Sequence, residues 1–551
     1  NHKWGKAKVE DLSIFFNMGY NLSETTELYA FGSYSEREGL SAGFYRRAKD
    51  SRNIQEVYPD GFLPHIASDV TDTAFNIGIK GETNDWNWDL SANIGKNDFG
   101  FGVENSLNTS LGATSPTEFD NGNLVYEQIV TNAAANTMQD WGLTNEVFVA
   151  VGFEYRQEKY QVKAGEEASY ITKLDSEGNP VAAGGAQVLP GFSPASAVED
   201  SRHNYAVYVE LDTDVNDDFN ISYAGRFEDY SDFGSTFTNK VAGRYAVNDE
   251  LSFRGAISTG FRAPSLAQTS YKSIATVFVD GVPNEVGLFP VDEPAAVALG
   301  AEPLDAEESV NSTIGFVYEY DDFNLTVDAY HISIDDRIVL SENLSGDAVV
   351  DILKSAGELN TTRARYFTNA IDTTTKGIDI VATYDYDLDD YGSLRLSAAL
   401  NFNDTKVTHI KDNPPELSAL GDSYQVFSDR EITRFEIGTP KSKYNLAAMW
   451  KYEDIAVNLR ATRYGEVVDA SSNPDNHEVL APKWITDIDA SYQLTESINV
   501  AIGVNNLFDQ YPQDTVSNVG HSTFNQIFPY SGFSAYGADG RFVYARATYK
   551  F

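Results

Sequence analysis

The 551-residue chain contains no cysteine. That absence removes disulfide bridges, thiolate metal ligands and a cysteine nucleophile together, and it suits a chain that crosses an oxidising envelope compartment. Positive charge is scarce. Forty lysines and arginines stand against 82 aspartates and glutamates, a formal charge of −42, and a surface of that sign repels phosphate backbones, which argues against nucleic acid as a partner. No window approaches the ~18 consecutive apolar residues of a transmembrane helix, so a helical membrane protein is excluded. A membrane β-barrel is not, because its strands alternate and stay near-polar on average. The first residues, Asn1-His2-Lys3-Trp4, lack the charged-then-apolar order of a signal peptide, so the chain reads as mature or as missing its beginning.

Chemistry is also missing. There is no P-loop, HExxH or G-x-S-x-G. Asp212-Thr213-Asp214-Val215-Asn216-Asp217-Asp218 starts like a calcium loop, but the sixth position is not glycine and Tyr223 stands where a bidentate glutamate belongs. His65, His203, His331, His477 and His521 have no second histidine at ligand spacing. The expectation is a protein that is not an enzyme, with no metal and no cofactor.

What the chain has is alternation and aromatics: 32 Tyr, 32 Phe and 6 Trp. Ile498, Val500, Ile502 and Val504 point one way and Asn499, Ala501, Gly503 and Asn505 the other. The same period of two runs through 251–262, 444–452, 455–462 and 484–492, which means strands with one apolar and one polar face. A soluble sandwich alternates too, but two features favour a membrane barrel. Apolar faces begin or end in aromatics (Trp484 and Tyr492, Phe219 and Phe227), as interfacial girdles do. Connections also alternate in length. Short ones lie near 21–24, 83–85, 140–143, 214–217, 247–250, 320–322, 387–391, 453–454 and 493–496; long ones near 38–69, 106–121, 166–200, 264–306, 342–362, 411–437 and 509–537, with 231–235 a short member of the long series. Short turns on one side and long loops on the other is outer-membrane topology.

The last strand puts Val543, Ala545, Ala547, Tyr549 and the terminal Phe551 on one face, and such an ending resembles the assembly signal of bacterial outer-membrane proteins. Counting back from it gives roughly nineteen strands. Single-chain barrels of this kind have even strand numbers, so an odd number is expected before residue 1, and three would complete the ~22 of plugged transporters. The predicted fold is therefore all-β: one transmembrane antiparallel barrel spanning 1–551, with long extracellular loops and short periplasmic turns.

Several segments resemble TonB-dependent outer-membrane receptors: Glu154-Tyr155-Arg156-Gln157-Glu158, Arg226 to Gly234, Ser258-Thr259-Gly260-Phe261-Arg262-Ala263-Pro264-Ser265-Leu266, Phe367-Thr368-Asn369-Ala370 with Thr375-Lys376-Gly377-Ile378-Asp379, and Val504-Asn505-Asn506-Leu507-Phe508-Asp509. The resemblance implies energised uptake of a scarce nutrient (a metal chelate, a cobalamin-like cofactor or an oligosaccharide). It also implies a plug domain and a TonB-binding segment upstream of Asn1. Phe261-Arg262-Ala263-Pro264 is similar to a box of haem-uptake members, but their second box is missing. A passive plugless pore and a surface-docking barrel remain the alternatives. Expected surroundings are membrane lipid, lipopolysaccharide and, for some members, a surface lipoprotein.

Alternation points Arg226, Glu228, Arg254 and Arg262 into the lumen, where opposite charges can ladder across strands. Pro264 ends pairing where its strand leaves the bilayer, and Gly377 leaves room for a close approach. Loop 38–69 groups Phe44, Tyr45, Arg46, Arg47, Arg52, Tyr58 and Phe62, cations beside aromatics that suit an anionic or ring-bearing ligand; pairing with Asp50, Glu56 and Asp60 is the plainer reading. Loop 509–537 adds His521, Phe524 and Tyr530, flat surfaces for sugars, macrocycles or aromatic chelates. The acidic loop 264–306 disfavours a strongly anionic siderophore. Residues 345–358 have helical spacing through Val349, Val350, Ile352 and Leu353, read as packing over the mouth.

Overall fold

The computed structural model describes the chain except residues 1–5, 179, 280–281, 359–360, 422–423, 471–474, 476 and 516–528. Nineteen long strands form one antiparallel sheet. They are β1 Lys8–Asn21, β2 Thr26–Ala42, β3 His65–Thr83, β4 Trp86–Glu104, β5 Phe119–Gln139 and β6 Val147–Ala164. Then come β7 Val198–Asn216, β8 Phe219–Tyr230, β9 Gly234–Ala246, β10 Leu251–Arg262, β11 Glu307–Tyr320, β12 Phe323–Leu340 and β13 Phe367–Asp387. The last six are β14 Ser393–Ile410, β15 Ser442–Tyr452, β16 Ile455–Tyr464, β17 Lys483–Thr495, β18 Ile498–Asn505 and β19 Phe542–Tyr549. Each pairs with the next along the chain. With an odd number of strands, β1 and β19 run in the same direction, and they approach at the long-loop end, where Lys6 lies 3.8 Å from Asp539 and over the Phe542 ring.

Which face is buried separates a barrel in lipid from a soluble sandwich. In a sandwich the apolar face of each strand is covered. Here Ile257, Ile314 and Ile502 are 57%, 67% and 60% exposed. The apolar faces therefore point outward, as lipid requires. Aromatics bound this band at both ends. Trp450 stacks on Tyr452 at 5.9 Å and Tyr384 on Tyr386 at 6.1 Å near the short turns, while Tyr155–Tyr205 (5.1 Å) and Phe402–Tyr444 (5.4 Å) lie toward the long loops.

The polar face lines the lumen. Four tyrosines there (Tyr29, Tyr208, Tyr330 and Tyr544) sit directly across from glycines 78, 152, 377 and 503, and each ring lies over the glycine. A Cβ on Gly377 would come within 2.2 Å of the Tyr330 ring and 2.6 Å of the Phe402 carbonyl. The close approach at Gly377 is thus by a cross-strand ring.

The nine short turns fall where the sequence places them. Three long connections are shorter than read, 43–64, 105–118 and 165–197 in place of 38–69, 106–121 and 166–200, because strands of up to 21 residues run well beyond the ~9–11 needed to span the bilayer; the other four are longer, 263–306, 341–366, 411–441 and 506–541. Residues 465–482 form a further long connection that the sequence reading passed over.

Candidate ligand-binding mouth

Three long loops, 263–306, 341–366 and 411–441, fold together over one side of the barrel end. Short apolar runs from each, too brief to bury anything alone, share one core. Phe289, Leu299, Val349, Leu353, Tyr366, Ile371 and Leu417 are each at most 1% exposed. Helix Asp347–Ser355 contributes Val349 and Leu353 at i and i+4, one face of a turn, as its spacing predicts. A four-stranded sheet stitches two loops: Ser273–Val279 pairs with Val282–Leu288, whose last residues run parallel to Arg363–Arg365, which pairs in turn with Leu344–Ser345. The Tyr366 hydroxyl donates to the Leu299 carbonyl at 3.0 Å. Lys272 bridges Glu293 and Glu358 at 3.1 and 3.0 Å; burial disfavours its charge, but hydrogen bonds to the two glutamates hold its pKa above the ordinary value.

This cap presents arginines. Arg363 and Arg365 share one face of the ribbon, and Arg430 and Arg434 lie one turn apart on helix Asp429–Ile437. That helix is tied to β14, where the Val407 amide donates to Glu436 at 3.1 Å. Arg337 lies over the Phe435 ring at 5.0 Å, and Arg434 over Phe533 at 5.2 Å. Two glutamates offset part of this charge: Arg430 reaches Glu342 at 3.1 Å, and Arg434 reaches Glu431 at 2.6 Å. Arg365 donates to the Ser341 carbonyl at 3.0 Å. Burial lowers its pKa, opposed by Glu431 and Glu342. The Nε groups of Arg363 and Arg434 are buried with no acceptor among the described residues. Five arginines against two paired glutamates leave the patch with an excess of positive charge, which suits an anionic ligand.

Beneath it the lumen wall is braced by charge. Arg226 pairs with Glu228 at 2.5 Å on its own strand and reaches Glu154, two strands away, at 3.1 Å. Glu228 also accepts from Asn204 and Tyr230, both at 3.0 Å. Arg202 binds Glu158 at 2.6 Å and the Pro264 carbonyl at 2.5 Å, fastening the base of loop 263–306 to the wall. Arg254 passes over Gly315, whose missing side chain leaves room, to grip Asp328 through Nε at 2.8 Å. Arg262 forks onto buried Glu307, which also accepts from the Ile338 amide at 2.7 Å.

Residues 13–507 match a family model described as TonB dependent receptor-like, beta-barrel. The chain belongs to the TonB-dependent receptor family. It is 23% identical over 390 residues to the ferric enterobactin receptor PirA of Pseudomonas aeruginosa, covering 69% of this chain and 46% of that one. It is 22% identical over 366 residues to a probable TonB-dependent siderophore receptor, also PirA, of Acinetobacter baumannii, covering 63% and 42%. The chain thus spans less than half the length of these curated relatives. A crystal structure of the ferric enterobactin receptor PfeA from P. aeruginosa superposes with a TM-score of 0.65 at 15% identity, over 99% of this chain and 70% of that one. The receptor is an outer-membrane β-barrel, and the long loops are extracellular.

The receptor divides the residues that the sequence singled out. Register places Arg46 opposite Phe62 in the ribbon Arg46–Arg47/Gly61–Phe62, and both turn inward, 6% and 3% exposed. Arg46 donates to Gln187 and to the Phe44 carbonyl, at 3.4 and 2.9 Å, and burial, with repulsion from Arg52, lowers its pKa to about 10 against the attraction of Asp50. Arg52 forks onto Asp50 with two contacts of 2.9 Å. Tyr45 donates to the Asp60 carbonyl, and Tyr58 stacks on Phe62 at 4.6 Å and donates to the Ser106 carbonyl. Arg47 stays exposed, and Phe44 is half-buried. The cations expected to cluster in this loop are therefore divided: Arg47 stays exposed, Arg52 pairs with Asp50 and Arg46 packs inward. Its depressed pKa means that folding disfavours the Arg46 cation, a penalty present at neutral pH and relieved only as pH rises through about 10. Arg46→Met is accordingly expected to leave ligand affinity within about twofold and stability equal or higher; ligand titration and thermal melting check both.

Tyr530 stacks on Tyr511 at 5.7 Å, in a loop joined to 465–482 where Ser531 donates to Asp469 at 2.7 Å. His521 and Phe524 lie outside the described residues. The cap arginines escaped the sequence reading. Their signal was local: Arg363-Ala364-Arg365 and the Arg430/Arg434 spacing concentrate cations in a chain that has few.

Proposed function

We propose that this receptor captures an anionic ferric siderophore at the arginine-lined mouth and imports it with energy delivered through TonB, a plug domain gating the lumen. The observation that carries the reading is the gathering of five arginines, Arg337, Arg363, Arg365, Arg430 and Arg434, about the cap, with Glu342 and Glu431 paired among them. The relatives whose printed names concern siderophores, one of them ferric enterobactin, support it. The acidity of loop 263–306 weighs against this reading, although part of it is spent within the cap, where Glu293 pairs with Lys272. Lipid and lipopolysaccharide surround the barrel in this reading, and any surface lipoprotein would meet the outer loops.

Ligand charge tests the proposal. The full-length receptor is titrated with a trianionic ferric tris-catecholate and with an uncharged ferric trihydroxamate, following intrinsic fluorescence. The anionic complex is expected to bind at least about tenfold more tightly, with affinity falling as salt rises. Equal affinities, or preference for the neutral complex, would overturn the reading.

A further inference from the structure

In an acid-rich chain, β9 and β10 contain no aspartate or glutamate at all. Their outward faces carry Phe237, Val241, Tyr245, Phe253 and Ile257, all exposed. Their inward faces carry Lys240, Arg244, Arg254 and Arg262 among serine, threonine, glycine and alanine. Arg244 stands directly opposite Arg254, and Lys240 opposite Ser258.

Two of these cations are committed, Arg262 to Glu307 and Arg254 to Asp328. Lys240 and Arg244 are exposed to the lumen, and neither has a carboxylate at ion-pair distance among the described residues; Arg244 reaches only the Ser252 hydroxyl, at 3.4 Å. Like charges directly opposite on a sheet destabilise it, and residues on the lumen face of a barrel tune which solutes pass. From Arg262 to Arg254 the wall descends eight residues, roughly 26 Å along the strand. At its upper end Glu307 joins Arg262 to Ile338, next to Arg337 of the mouth.

We propose that the lumen face of β9 and β10 is a cationic track along which the anionic cargo descends from the mouth to the periplasmic end. This rests on the anionic-chelate reading above. Small neighbours leave the wall smooth, and spaced, solvated cations hold an anion weakly enough to release it, as conduction requires.

The test uses full-length receptor in the outer membrane of iron-starved cells and radiolabelled ferric tris-catecholate. Binding is measured on chilled cells and uptake on warm ones. The Lys240→Glu, Arg244→Glu double variant should bind within about twofold of wild type and take up ligand at least about tenfold more slowly. Lys240→Arg with Arg244→Lys should restore uptake, and a heat-modifiable gel band certifies assembly. Unchanged uptake, or binding lost in step with uptake, would overturn the track. If wild-type cells neither bind nor import the probe, the functional reading fails separately. The track is then judged on urea-opened receptor in planar bilayers, where charge reversal must shift the reversal potential toward cation selectivity and an unchanged potential rejects it.

Discussion

Leu353→Asp is expected to abolish ligand binding, with a loss of at least about 100-fold, while the barrel still assembles. Leu353 is fully buried at the centre of the core shared by three loops. An ionised carboxylate there costs several kcal/mol without a partner, and removal of the leucine also forfeits about 2–5 kcal/mol of packing. Among the described residues the cap loops share no second apolar core of comparable size, so the ribbon that positions Arg363 and Arg365 is expected to be released. The barrel strands hold one another through their own ladders and do not depend on the cap. Ligand titration beside a heat-modifiable gel separates the two effects. Leu353→Met, which conserves volume, should bind normally, and a binding-competent Leu353→Asp receptor would show that the cap is not what presents the ligand site.

The second large effect is expected from Arg365→Ala combined with Arg434→Ala. A hydrogen bond to a charged group contributes about 1.5–3 kcal/mol, so losing two should weaken binding of the ferric tris-catecholate by ~10²-fold or more and flatten its salt dependence. These positions make a cleaner test than Arg262, because Arg365 makes no ion pair among the described residues and Arg434 shares Glu431 with Arg430. Removing Arg262 would strand the buried Glu307 carboxylate and confuse binding with stability. The paired lysine variants should lose less than the alanines but more than half the binding free energy of one arginine, since an ammonium keeps charge without the planar fork. Wild-type affinity in the double alanine variant would remove the cap arginines from the ligand site.

The barrel was legible because its physics is local. Many strands declare their two faces with a period of two, as Ile498 to Asn505 do, and turn lengths tell the two ends of the barrel apart. The cap was not legible because its core is assembled from short pieces far apart in sequence. Phe289, Tyr366 and Leu417 meet only once three loops have folded together, and none sits in a run that periodicity can detect. The helix at Asp347–Ser355 was the exception, being amphipathic by itself. Loop 43–64 divides its cations in a way that the sequence leaves open. Its cations are adjacent in sequence, but a two-residue ribbon turns Arg46 inward beside Phe62 and leaves Arg47 outside, a division that composition cannot reveal. The inward charges of β8 and β10 followed from alternation, although the partners of Arg254 and Arg262, Asp328 and Glu307, lie on other strands and needed the register.

The most direct test of the central claim is the rate at which iron-starved cells carrying the full-length receptor accumulate iron from a ferric tris-catecholate, compared between cells with and without a functional TonB. Saturable uptake that disappears without TonB, with surface binding intact, is the predicted result. Accumulation at the same rate in both cells, rising linearly with concentration, would contradict it and make the barrel a passive pore.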